Sequence, residues 1–190
     1  MAAETSFWAE RAVKNTLTDS DVAKIKTFSF SGIGWDVKTF PVLKTMIDQG
    51  KIKVMYDSAK NGNAEYDYKT NTIITGIKIA MGYAETGLIV HECVHAVYDV
   101  AKQKMSTAIS ESIAYIVQSQ YVYAANGPGK RLSHSVPTRD LVFKYAWSIA
   151  AAVQEGKAID PLDKSNLIAA VSAHPFYSKN ATSDAGFDGV

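Results

Sequence analysis

Apolar positions change period repeatedly in the first part of the chain, whereas from about residue 84 a single helical period takes over. Residues 6–17 are spaced as an amphipathic helix, and the polar break Thr18-Asp19-Ser20-Asp21 can cap a short second one. Thr27-Phe28-Ser29-Phe30-Ser31 alternates as a half-buried strand would. Beyond the flexible Gly32-Ile33-Gly34, residues 35–49 read as a helix interrupted by Pro41 and stopped by Gly50. Ile52, Val54 and Tyr56 alternate with more hydrophilic neighbours, which predicts a strand over 51–57. Asn61-Gly62 marks a turn, and the short runs 65–68 and 72–75, joined by Lys69-Thr70-Asn71, form a hairpin pattern. Helices follow near 85–102, 107–125, 138–155 and 161–173. They are punctuated by Ser106, Gly127-Pro128-Gly129, Thr138, Gly156 and Asp160-Pro161. Strands early and helices late predict an α+β domain over 1–178, with 179–190 as a mobile tail.

Composition narrows the function. Twenty basic against nineteen acidic residues leave a net charge of +1, so no global field draws in nucleic acid or an anionic membrane. The longest nearly apolar stretch, 145–153, is far short of the roughly 20 residues that a membrane span needs. One cysteine forms no internal disulfide, and the first residues lack the apolar core of a signal peptide. The expectation is a soluble chain, cytoplasmic as sequenced or a domain of a larger exported protein.

The chemistry is concentrated in His91-Glu92-Cys93-Val94-His95. Residues four apart share one helix face, so both imidazoles can grip a single ion. Neutral imidazole suits Zn²⁺, which in catalytic sites takes three protein ligands and a water. Glu92 lies about 100° round the helix from His91. From there it can reach the water instead of the metal, as a general base should. This is the HExxH pattern of metallopeptidases. Cys93 points away from the imidazole face and reads as a small buried hydrophobe.

Two acids compete to be the third ligand. Asp99 shares the histidine face but lies about 12 Å along the helix from His91, too far for three side chains to converge at about 2 Å. It is expected as a solvated or outer acid. Glu111 follows a break after His95, and its helix can fold back antiparallel to present the carboxylate. The expected ligand set is His91, His95 and Glu111.

The segments His91-Glu-Cys-Val-His95-Ala-Val-Tyr-Asp99 and Ala108-Ile-Ser-Glu111-Ser-Ile-Ala-Tyr115 resemble the gluzincin clan of zinc metallopeptidases over roughly residues 70–118. The resemblance implies a compact zincin-like fold, with a sheet of three to four strands packed on the HExxH helix and a largely helical second half. It also implies zinc-dependent hydrolysis of peptide bonds, with Glu92 as base. The strand before such a helix is usually an edge to which substrate adds, which would be Thr72-Ile73-Ile74-Thr75. Thermolysin-like members carry aspartate four residues after the glutamate ligand. Here Tyr115 stands in that place, where its hydroxyl could support a ligand. His134, in the loop Ser133-His-Ser-Val-Pro137, is a candidate for stabilising the oxyanion. A toxin or effector peptidase domain fits the compact size. Rival readings are a non-catalytic binding or inhibitory module on the same scaffold, or a metal-free helical interaction domain.

Overall fold

The computed structural model describes residues 4–80, 82–133 and 137–190. It is an α+β fold with a small sheet in its first half and a largely helical second half. The strands are β1 (Glu4–Thr5), β2 (Phe28–Phe30), β3 (Ile33–Trp35), β4 (Lys53–Tyr56), β5 (Ala64–Asp67) and β6 (Thr72–Thr75). The helices are α1 (Phe7–Leu17), α2 (Phe40–Asp48), α3 (Tyr83–Val100), α4 (Thr107–Asn126), α5 (Pro137–Gln154) and α6 (Pro161–Ala173). Their ends follow the capping residues in the sequence. Ser6, Ser106 and Asp160 accept the amides of Ala9, Ile109 and Leu162, satisfying donors that the first helical turn leaves unpaired. Helix α5 is described from Pro137, one residue before the Thr138 expected as its cap.

The main sheet has the order β1-β4-β6-β5. Strand β4 pairs parallel with β6, while β1 and β5 are antiparallel to their neighbours. After β4 the chain therefore crosses to the far edge to make β5, then turns back at Asn71 (φ +52°) and inserts β6 between them. This overturns the expectation that 72–75 is the edge. Thr72, Ile73 and Thr75 are buried and β-branched, which suits a strand covered on both sides. Strand β5 carries Glu65 and Asp67, charges that an edge strand tolerates. Strands β2 and β3 form a separate hairpin whose Phe28, Phe30 and Trp35 join the core beside Phe40.

Helix α3 runs through the centre, with every residue from Ile89 to Asp99 buried. It packs on the sheet, on α1 and α2, and most extensively on α4. A Cβ at Gly87 would meet the Gln118 side chain at 3.3 Å, so this glycine lets α4 come close. Residues 179–190, expected as a tail, are laid across the fold. Thr107 and Ala108 donate to the carbonyls of Ser183 and Ala181, Ala185 donates to Met105, and Phe187 is 9% exposed. The apolar Ala181 and Phe187 supply the burial that holds a segment otherwise rich in polar residues. Gly186 sits at φ +88° against Tyr68, where any side chain would clash. Among the described residues no helix is long and apolar enough to cross a membrane.

Candidate metal centre

His91 and His95 lie one above the other on α3, with ring centroids 5.0 Å apart. The six-residue connection after α3 lets α4 return antiparallel and carry Glu111 to both rings. One Glu111 oxygen is 3.2 Å from His91 Nε2 and the other is 3.4 Å from His95 Nε2. The ligand atoms of the three residues all lie within 4.8 Å of one another. Bonds of about 2.0–2.1 Å set at tetrahedral angles place neighbouring donors about 3.3 Å apart. The donor set therefore fits a divalent ion without rearrangement of the backbone, and it is the arrangement of an HExxH-type zincin site.

The other nitrogen of each imidazole is also occupied. His91 Nδ1 lies 3.2 Å from Gln118 Oε1 and His95 Nδ1 lies 3.0 Å from Ser110 Oγ. Both partners lie on α4, and Glu111, Tyr115 and Gln118 share its inner face at helical spacing. With each Nδ1–H donated to these oxygens, Nε2 is the nitrogen turned toward Glu111, and it becomes a ligand once it carries no proton. Tyr115 does not bond a ligand histidine. Its ring stacks edge-on against His91 at 4.5 Å and its hydroxyl meets that of Tyr177 at 3.2 Å.

Glu92 is buried and stands apart from the ligand triad, its Oε2 accepting the backbone N–H of Tyr66 at 2.8 Å. Burial pushes its carboxyl up to about 7, against the attraction of His91. Burial likewise pulls His95 down to about 4. At His91 burial also disfavours the charge, but the bond to Glu111 and the nearby carboxylates outweigh it, so this imidazole is raised. Burial would raise Glu111 as well, yet the two imidazoles hold it below the usual carboxylate range.

The triad and Glu92 open onto a cleft of about 520 Å³, walled by β5 on one side and by residues 176–187 on the other. An adjoining hollow of about 430 Å³ continues past Glu92 toward Leu88, Arg139 and Phe143. Asp99, expected as a solvated or outer acid, is fully buried; it lies outside the ligand triad as expected and faces Tyr66 and Gly189. Cys93 is buried as expected. His134 lies outside the described residues. Sequence reasoning missed Gln118 and Ser110, although their offsets of +7 and −1 from Glu111 place them on the same flank of α4. It also missed Tyr66, Tyr177 and Phe187, for which the sequence carries no motif. Comparison with protein-family models, with curated proteins and with solved structures finds no match to this chain.

Proposed function

We propose that the chain is a zinc-dependent peptidase in which Glu92 is the general base and His91, His95 and Glu111 hold the metal. The observation that carries this reading is the division of labour among the buried polar groups. Three donors converge on one point, while a fourth, Glu92, lines the same cleft outside the set. Two imidazoles and one carboxylate suit zinc better than the oxygen-seeking divalent ions. When bound, zinc would supply an acidified water and polarise the scissile carbonyl.

The residues of the chain do the rest. Glu92 accepts the proton of the attacking water and delivers it to the leaving amine. The free edge of β5 offers pairing to an extended peptide. Since the Tyr66 N–H faces outward, alternation of the antiparallel ladder turns the Ala64 amide and carbonyl outward too. The hydroxyls of Tyr115 and Tyr177, both lining the hollow beside His91 and Glu92, are the described donors best placed for a developing oxyanion. A fold with one buried cysteine works equally in a reducing cytoplasm.

The test is a peptide-library digest by zinc-loaded protein, together with Glu92→Gln. The variant keeps the shape and the acceptor for Tyr66, so it should bind zinc stoichiometrically and lose 10²–10⁴-fold in turnover, roughly the worth of a general base. Wild-type turnover in Glu92→Gln would refute the assignment.

A further inference from the structure

Glu92 and Asp99 are seven positions apart on α3, two turns along one face. A single residue of β5 touches both. The Tyr66 backbone N–H donates to Glu92 Oε2 at 2.8 Å, and its hydroxyl donates to Asp99 Oδ2 at 2.6 Å. Asp99 is buried without a cation among its described partners. Its Oδ1 accepts the Gly189 N–H at 3.0 Å, and the Asn71 amide, with its nitrogen turned inward, donates to Oδ2 at 3.1 Å beside the Tyr66 hydroxyl. A buried carboxylate supported only by hydrogen bonds is costly to keep, and no step of the hydrolysis uses this one.

The outward side of an edge strand has no neighbouring strand to fix its distance from the helix. The Glu92 bond is made on that side of β5. A second attachment two turns further along α3 fixes both the spacing and the height of the strand. We propose that Tyr66 and Asp99 are positioning residues for Glu92: Asp99 anchors the Tyr66 ring, and so holds the β5 edge where the Tyr66 amide meets the Glu92 carboxylate. This rests on the reading of Glu92 as the general base, but the attachment itself is testable without turnover.

The experiment is amide hydrogen exchange on the chelated full chain, comparing wild type with Tyr66→Phe, Asp99→Asn and Glu92→Ala. The residue-66 amide should be protected in wild type and exposed in Glu92→Ala. In Tyr66→Phe and Asp99→Asn it should exchange at least about ten-fold faster, the order expected when a bond to a charged group is lost. The amides of Glu65 and Asp67, which face β6, should keep their protection. Tyr66→Phe removes only the hydroxyl and decides the matter if Asp99→Asn fails to fold. With a cleaved peptide in hand, Tyr66→Phe should lower kcat about ten-fold while KM and zinc affinity stay within two-fold. Unchanged exchange at residue 66, or equal loss at residues 65 and 67, would overturn the proposal. Exchange as expected in a protein that cleaves no peptide would support the positioning and remove the peptidase reading instead.

Discussion

His91 and His95 have the same residue type, the same helix and the same carboxylate partner, yet their protons are held differently. His95 is pulled down to about 4 by burial, and Glu111 is held low, so both are ready ligands at neutral pH. His91 is raised, so it must give up its proton before its Nε2 can bind a metal. Zinc affinity should therefore rise with pH until His91 has lost its proton, and zinc binding should release that proton to the buffer. Calorimetry in buffers of different ionisation enthalpy reads this directly, and affinity independent of pH would contradict it. Glu92 makes a second prediction, for the metal-free protein. Its carboxyl titrates near 7 in the fold against an ordinary value of 4.5. The native state therefore binds its proton more tightly, and this group's contribution to stability declines as pH rises from about 4.5 to about 7. Glu92→Gln abolishes the decline. At pH 8 the chelated variant should be more stable than wild type by roughly 3 kcal/mol, and the difference should vanish near pH 4. Denaturant unfolding at the two pH values measures it.

Helix α4 supplies Glu111, Ser110 and Gln118 to a site whose motif lies on α3, so the packing of these two helices sets the metal geometry. Ser110→Ala and Gln118→Ala should each weaken zinc binding 10–100-fold, as loss of an imidazole's outer partner does elsewhere. Competition with a chelator would show it. Unaltered affinity in both variants would mean that the Nδ1 bonds do not orient the rings. The ligand helices were legible because the signals were local: a five-residue pattern on one face, a cap at Ser106 and a glutamate one antiparallel return away. The sheet was less legible. Four β-branched or apolar residues such as Thr72–Thr75 read alike in an edge strand and an interior one. What places β6 inside is its parallel partner β4, a pairing that skips over β5 in the chain, and periodicity says nothing about it.

Residues 181–189 act on the molecule as a whole. Phe187 lies 6.3 Å from the His95 ring, Gly189 donates to Asp99, and Ser183 and Ala181 receive the first amides of α4. Small and polar residues around two buried apolar ones gave no period to read, which is why the stretch looked like a tail. Gly186→Ala should unseat it, through strain at φ +88° and the clash with Tyr68, at a cost of about 1–3 kcal/mol. Thermal unfolding would register the loss, and a neutral substitution would mean that the stretch contributes little. The Gly189–Asp99 bond also has a consequence in time. Asp99 lies ninety residues before its partner, and synthesis runs from the N-terminus. The histidine pair, its base and Glu111 are all made well before the wall that closes the cleft around them. A nascent chain therefore carries a half-built site until residue 189 has been added and has left the ribosome. Ribosome-bound chains stopped at residue 180 should lack the Phe187 wall, and synthesis past residue 189 should supply it, so the site closes only after its chemistry-bearing residues have long been made.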